Sequence, residues 1–212
     1  MKVIIMCGGN YKKWETPRHL TKINGETLVE RTVRLLKENK VENIFISTNN
    51  PAFDYIDVPK LKHSNDFTVD DKINGYWVDC FYPTDEPTIY LLGDVFYSEE
   101  AIKTILNTET DDIEFFASAP PFNHQYTKPW AEPFGFKVVN LKHFKEAIEL
   151  TKKYRNEGKF RRHPIAWEFW QVVKGHQLNY IDYNSYTVIN DYTCDVDKPA
   201  DAEKIERVIN GR

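Results

Sequence analysis

Short apolar runs alternate along the chain with longer segments in which apolar residues recur at helical spacing. Residues 2–6 form an apolar run before two glycines, the pattern of a strand buried on both faces of a parallel sheet. Residues 27–39 carry apolar side chains three and four positions apart, and Thr27 and Glu30 have capping-box spacing. The same patterns predict strands at 43–48, 88–93, 114–119, 134–140, 178–182 and 187–189, and helices at 73–81, 98–106, 141–156, 164–174 and 199–209.

This order of elements predicts the fold class. Because strands and helices alternate, we expect an α/β protein with a mostly parallel, mixed central sheet flanked by helices in three layers. The pattern is less regular at about 120–133 and 157–190, which we interpret as substrate-side insertions in one domain spanning 1–212. Ligands of such sheets bind beyond the carboxyl ends of the strands. Three polar segments are predicted at that edge: 8–9, 93–94 and the acidic residues near 195.

Composition narrows the classes of function. The chain has 28 Lys+Arg and 32 Asp+Glu, and its net charge of -4 argues against a nucleic-acid binder that relies on bulk electrostatic attraction. Three widely spaced cysteines encode neither a disulfide framework nor a zinc site. The apolar run at 3–7 is too short for a signal peptide or a membrane span. We therefore expect a cytoplasmic protein without a membrane anchor, and a homodimer is compatible with these features.

The segment after the first strand carries the first candidate chemistry. Gly8 and Gly9 let the backbone approach a ligand, and Lys12, Lys13 and Arg18 add positive charge, a combination suited to a polyphosphate. An ordinary Gly-Gly turn followed by a solvated basic loop explains the segment equally well. The segment is neither a Walker P-loop nor a G-x-G-x-x-G fingerprint, which disfavours a kinase or a dehydrogenase.

Carboxylates follow two later strands. Asp94 ends the run at 88–93 and is either a turn residue or a Mg²⁺ ligand. Asp195 and Asp197 would face the same side of an extended segment, and together with Asp94 they favour a metal site, because three clustered acids repel without a cation. The alternative is that these acids sit at a helix N-terminus, and for Asp201 we prefer that interpretation.

The order of these segments resembles the nucleotidyltransferase family that activates sugar phosphates and phosphocholine. The resemblance is carried by Gly8-Gly9, Pro17-Arg18-x-Leu20-x-x-Ile23-Asn24-Gly25-x-x-Leu28-x-x-Arg31, Leu92-Gly93-Asp94, Glu132-Pro133-Phe134-Gly135 and Asp195-Val196-Asp197-x-Pro199-x-Asp201. It implies a Rossmann-like fold of the nucleotide-diphospho-sugar transferase (GT-A) type. It also implies transfer of a nucleoside monophosphate from a nucleoside triphosphate to a phosphorylated small molecule, with release of pyrophosphate.

The resemblance also implies residue roles. Arg18 and Lys13 would be catalytic, Asp94 and Asp197 together with Asp195 would hold Mg²⁺, and the nucleotide would lie against Cys7, Gly8, Gly9, Asn10 and Gly93. Two departures stand out. The glycine-rich loop lacks the usual Gly-x-Gly-x-Arg ending, and Arg18 replaces the usual lysine, a change that alters phosphate geometry while keeping the charge.

The remaining candidates concern the acceptor. Arg161 or Arg162 would bind its phosphate, although at least one of them also fits a solvated basic turn. Trp130 and Trp167 would stack on a sugar or enclose a quaternary ammonium, and Glu132 lies nearby in the sequence. Trp167, however, has helical spacing with Trp170 and Val173, which is also typical of a core stripe.

Two other functions stay open at this point. A GT-A-type glycosyltransferase would use Asp195-Val196-Asp197 to hold a nucleotide-sugar donor, and the departures from the family pattern are compatible with a catalytically silent nucleotide-binding protein. The nucleobase and the acceptor (a sugar phosphate, a polyol phosphate or phosphocholine) are not specified by the residues, and no histidine shows metal spacing.

Overall fold

The computed structural model describes residues 1–8, 16–62, 75–119, 131–178, 183 and 185–211. Within these ranges the strands are β1 (Lys2–Met6), β2 (Lys22–Ile23), β3 (Glu26–Thr27), β4 (Ile44–Ser47), β5 (Lys60–Leu61), β6 (Thr88–Leu92), β7 (Val95–Phe96), β8 (Ile113–Ser118), β9 (Pro133–Val138), β10 (Thr187–Ile189) and β11 (Cys194–Asp195). The α-helices are α1 (Leu28–Glu38), α2 (Glu99–Asn107), α3 (Leu141–Asn156), α4 (Ala166–Lys174) and α5 (Pro199–Ile209).

A mixed sheet forms the centre of the described chain. Its strands lie in the order β10-β8-β9-β6-β1-β4-β5, and β9 runs antiparallel to both of its neighbours while the other pairs are parallel. The α/β class and the mostly parallel, mixed sheet predicted from the sequence are thus confirmed. We call the side of the sheet where β1, β4, β6 and β8 end the carboxyl edge.

Apolar residues cover both faces of the sheet, as the run in β1 predicted. Val3 and Ile5 pack in one core with residues of α1 and α2, whereas Ile4 and Met6 pack in a second core with residues of α3 and α4. The second core is rich in aromatic rings, and the Phe81 ring lies 5.0–5.5 Å from the rings of four neighbours, namely Tyr90, Phe136, Phe144 and Phe169. Two helical layers therefore enclose the sheet.

The helix boundaries follow the sequence signals closely. Thr27 and Glu30 form the predicted capping box at the start of α1, and Ser98 accepts a hydrogen bond from the Ala101 N–H at the start of α2. Helix α4 ends at Gly175, whose φ of 65° suits a residue without a side chain. It begins at Ala166, two residues after the predicted start, because the Glu168 carboxylate accepts a hydrogen bond from the Ile165 N–H.

One predicted element is wrong, one observed element has no prediction, and one predicted strand lies mostly outside the described residues. The helix predicted at 73–81 does not form in the described residues 75–81, where the chain makes only the 3₁₀ turn Trp77–Cys80. Gly75 has a φ of 107°, which a right-handed helix does not allow. The hairpin β2–β3 was not predicted, although Asn24 and Gly25 supply the two positive φ angles of a two-residue turn. Of the predicted strand at 178–182, residues 179–182 are not described.

Within the described ranges, no helix combines the length and the apolar character needed to cross a membrane.

Candidate active site

Adjacent parallel strands bring two of the predicted segments to the carboxyl edge. Met6 at the end of β1 pairs with Leu92 at the end of β6, so Cys7 and Gly8 lie beside Gly93 and Asp94. The Gly93 N–H donates a hydrogen bond to the Met6 carbonyl over 3.0 Å. A Cβ added at Gly93 would lie 2.4 Å from Cys7 Sγ and 2.7 Å from the Met6 oxygen. Only glycine fits this close approach, which fixes where Asp94 leaves the sheet.

A second, smaller pairing carries the other acidic segment to the same place. Strand β11 lies antiparallel to β7, which follows Asp94 directly, and Asp195 pairs with Val95. The Val196 N–H then donates to the Asp94 carbonyl over 2.8 Å. The backbone from 195 to 197 therefore runs alongside Asp94, although the two segments are a hundred residues apart in sequence.

Arg18 joins the two acidic segments. It opens the 3₁₀ turn Arg18–Leu20, and its Nη2 contacts Asp94 Oδ2 while its Nη1 lies 2.5 Å from Asp197 Oδ1. The side chains of Arg18 and Asp94 are 14% and 12% exposed, and that of Asp197 is 45% exposed. We call Asp94 and Asp197 the acidic pair. One guanidinium thus pairs with two carboxylates, and offsets one of their two negative charges, at the edge where α/β sheets bind ligands.

Asp201 holds the backbone at Asp197 in place. Its side chain is fully buried, and Oδ2 accepts hydrogen bonds from the N–H groups of Asp197 and Lys198 at 3.1 and 3.2 Å. This is a capping arrangement at the start of α5, so the interpretation of Asp201 as a helix N-terminal residue is confirmed.

The predicted cluster of three carboxylates does not form. The described part of the chain contains no group of three or more acidic, histidine or cysteine side chains placed to hold a metal ion. The predicted cluster requires an extended backbone over 195–197, but β11 ends at Asp195 and the chain bends at Asp197. The acidic pair nevertheless fits Mg²⁺, because that ion takes one or two protein carboxylates and completes its shell with phosphate oxygens and water.

Two further groups near Asp94 are held uncharged. His19 is 2% exposed, and its ring packs edge-on against Phe53 at 5.9 Å. Burial lowers its pKa to about 4, with Asp94 opposing and Arg18 reinforcing that change. Burial, with a contribution from Asp94, raises the pKa of the Cys7 thiol well above its usual value. A neutral imidazole and a protonated thiol therefore line this site. No role is predicted for His19 from the sequence, where its position next to Arg18 is the one signal for it.

The predicted acceptor residues have different surroundings. Glu132 is buried just before β9, where its N–H donates to Ser118 Oγ over 2.9 Å. Because β9 is antiparallel, its start lies at the carboxyl edge with Glu132. Arg161 is exposed, whereas Arg162 contacts the buried carboxylate of Glu168 at the start of α4. Of the two arginines, Arg162 is therefore the one that contacts the carboxylate capping helix α4.

Trp167 belongs to the aromatic core. Its side chain is 3% exposed and meets the rings of Phe115, Tyr183 and Tyr186 edge-on at 4.8–5.3 Å. Its indole N–H donates to the Ala131 carbonyl over 3.3 Å. A ring enclosed in this way offers no open face to an acceptor, so the core-stripe interpretation replaces the stacking role.

Four of the predicted site residues lie outside the described ranges: Gly9, Asn10, Lys13 and Trp130. Their assignments stay predictions.

Comparison with known proteins finds one curated relative in sequence. The chain is 28% identical over 169 residues to an adenosylcobinamide-phosphate guanylyltransferase from Methanocaldococcus jannaschii, a match that covers 71% of this chain and 86% of that protein. No family model matches the chain.

Solved structures show the same fold. A structure from Bacillus anthracis described as a glucose-1-phosphate thymidylyltransferase superposes with a TM-score of 0.60 at 15% identity, covering 98% of this chain and 94% of that one. The CTP:phosphocholine cytidylyltransferase of Streptococcus pneumoniae superposes with a TM-score of 0.53 at 16% identity, covering 98% of both chains. The resemblance to nucleotidyltransferases is confirmed. The expectation of an enzyme of this type is confirmed with it.

Proposed function

We propose that this nucleotidyltransferase moves a nucleoside monophosphate from a nucleoside triphosphate to a phosphorylated small molecule. An oxygen of the acceptor phosphate attacks the α-phosphorus, the bond from that phosphorus to the bridging oxygen of the leaving group breaks, and pyrophosphate departs. The observation that carries the proposal is the contact of Arg18 with the acidic pair at the carboxyl edge. A cationic guanidinium beside two carboxylates has the charges needed to bind a triphosphate and its counter-cation.

The proposed reaction requires no covalent step on a side chain of the protein. An ionised phosphate is already a nucleophile, so neither a general base nor a nucleophilic side chain is required. The neutral state of His19 and the protonated state of Cys7 agree with this requirement. The work left to the protein is to orient the two substrates and to stabilise the charge that develops on the leaving pyrophosphate.

Separate sets of residues would orient the substrates and stabilise the developing charge. Arg18 binds phosphate oxygens in a two-pronged manner once a triphosphate is present. The nucleotide would lie against Cys7 and Gly8, beside the close approach of β1 and β6 at Gly93. Asp94 and Asp197 would hold Mg²⁺, which, when bound, supplies positive charge to the phosphate oxygens. Arg161, exposed before α4, is the side chain we assign to the acceptor phosphate.

A pyrophosphate-release screen tests this function. Four nucleoside triphosphates are combined with a panel of sugar phosphates, polyol phosphates and phosphocholine, with and without Mg²⁺. GTP is the first donor to examine, because the curated relative is a guanylyltransferase. We expect pyrophosphate only when triphosphate, acceptor and metal are all present.

Two results, obtained beside the screen with nucleotide-sugar donors and by nucleotide-binding measurements, would contradict the proposal. Sugar transfer from a nucleotide-sugar donor, without pyrophosphate release, would favour a glycosyltransferase. Tight, metal-dependent nucleotide binding with no turnover on any acceptor would favour a catalytically silent binding protein.

A further inference from the structure

The contact between Arg18 and the acidic pair uses the same oxygens that a metal ion would need. Arg18 donates to Oδ2 of Asp94 and to Oδ1 of Asp197, each through a different terminal nitrogen. A Mg²⁺ ion lies about 2 Å from each of its oxygen ligands. An ion bound to these two oxygens would therefore press against both terminal nitrogens of the guanidinium.

Charge makes joint occupancy unfavourable. A divalent cation and a guanidinium repel each other, and the repulsion is strong at this site because Arg18 and Asp94 are shielded from water. The guanidinium is also a rigid, planar fork whose two ends hold the two carboxylates at a fixed spacing. Arg18 therefore already occupies one oxygen of each carboxylate of the acidic pair and offsets one of its two negative charges.

We propose that Arg18 is an internal counter-cation of the acidic pair, and that a divalent cation binds tightly only after a triphosphate has drawn Arg18 away. This inference rests on the proposed function, since it assigns the triphosphate and the cation to this site. Triphosphate and cation then bind cooperatively. The free protein has low affinity for the metal, because Arg18 occupies the carboxylate oxygens that a stray cation would need.

The cooperativity has a simple thermodynamic origin. Without nucleotide, the metal must break the contacts of Arg18 with Asp94 and Asp197, and no phosphate oxygens replace them. With nucleotide present, phosphate oxygens replace the carboxylates as partners of Arg18. The contacts of Arg18 therefore need to be broken only once when both ligands bind. By linkage, each ligand raises the affinity of the other by the same factor.

Binding of Mn²⁺ to the full chain, followed by the electron paramagnetic resonance of the free ion, tests the inference without any turnover. The dissociation constant is measured for the wild type, Arg18→Gln and Arg18→Lys, each without nucleotide and with a non-hydrolysable triphosphate analogue. Arg34→Gln is the matched control, because Arg34 also joins two carboxylates, Glu26 and Glu38, but on the surface of α1.

Without nucleotide, we expect Arg18→Gln to bind Mn²⁺ at least tenfold more tightly than the wild type, and Arg34→Gln to match the wild type within twofold. Adding Asp94→Asn to Arg18→Gln should abolish the gain. Arg18→Lys keeps the charge but cannot span both carboxylates, so its affinity should fall between the two. It also serves as the second variant if Arg18→Gln does not fold.

The coupling measurement is the sharper part of the test. The triphosphate analogue should tighten Mn²⁺ binding by a larger factor in the wild type than in Arg18→Gln, where there is no contact left to break. Equal coupling factors in both proteins, or equal Mn²⁺ affinity of the two without nucleotide, would overturn the inference. A failure of the proposed transfer reaction is seen separately, as the absence of pyrophosphate release, and does not alter these binding constants.

Discussion

Arg18 and Asp197 stand 179 positions apart in sequence, yet Arg18 Nη1 lies 2.5 Å from Asp197 Oδ1. The contact joins two separate segments at the carboxyl edge, because Asp197 follows strand β11, which pairs with β7, and Arg18 opens the 3₁₀ turn Arg18–Leu20. The other terminal nitrogen of Arg18 holds Asp94. The proposed activity depends on these three side chains acting together.

Removing either carboxylate of the acidic pair should abolish most of the activity. We expect Asp94→Asn and Asp197→Asn each to lower kcat by about 100- to 1000-fold, the usual effect of losing one electrostatic contact to the reacting groups. Initial rates of pyrophosphate release measure this. Asp85→Asn is the control, since Asp85 also pairs with a cation, Lys145 at 2.9 Å, but is 96% exposed and distant from the site. If both variants kept the wild-type rate, the assignment of these carboxylates to the metal would be wrong.

Gly93→Ala should destabilise the fold as well as disturb the site. The added methyl group would overlap Cys7 Sγ and the Met6 carbonyl, and overpacking of this kind costs about 1–3 kcal/mol. Urea denaturation of both proteins gives the difference in the free energy of unfolding. The penalty should shrink in a Cys7→Ala background, where one of the two overlaps is gone. An equal penalty in both backgrounds would show that Sγ does not limit this position.

Acidification should destabilise the protein through His19. Its pKa is about 4 in the folded state, against about 6.5 in the unfolded chain, so between those values the unfolded state binds a proton that the folded state does not. The contribution of His19 is complete above about pH 6.5 and is lost as the pH falls towards 4, by up to about 3 kcal/mol. Urea denaturation from about pH 7.5 to pH 4.5 should therefore show a steeper decline in the wild type than in His19→Gln. Equal slopes would contradict the burial of a neutral imidazole.

Trp167→Phe separates packing from acceptor recognition. The substitution removes the hydrogen bond to the Ala131 carbonyl and part of the ring volume, so we expect the free energy of unfolding to fall by about 1–3 kcal/mol. The acceptor KM should stay within twofold of the wild type. A tenfold rise in that KM with unchanged stability would restore the stacking role considered from the sequence.

The sequence predicted those features that depend on local patterns. The run at 2–6 gave a strand buried on both faces, and Thr27 with Glu30 gave the start of α1, because neighbouring residues determine both. The placement of Asp94 at the carboxyl edge followed from where its strand ends.

Features that depend on contacts between residues far apart in sequence could not be predicted from local patterns. The bend at Asp197 turns its side chain to Arg18, and no periodicity in 195–197 encodes a partner so far away in sequence. Trp167 shows the same limit, since helical spacing cannot tell a ring that packs from one that binds. The burial of His19 arises from Phe53 and the loop around Gly93, which meet only in the folded chain.

Transfer of a nucleoside monophosphate is tested most directly by ³¹P nuclear magnetic resonance of a reaction mixture. The protein is incubated with Mg²⁺, GTP and the phosphorylated acceptors that release pyrophosphate in the screen. The account predicts that the acceptor phosphomonoester signal is replaced by the paired signals of a new phosphoanhydride, with one equivalent of pyrophosphate for each acceptor consumed. Formation of GDP and orthophosphate with the acceptor signal unchanged would contradict it.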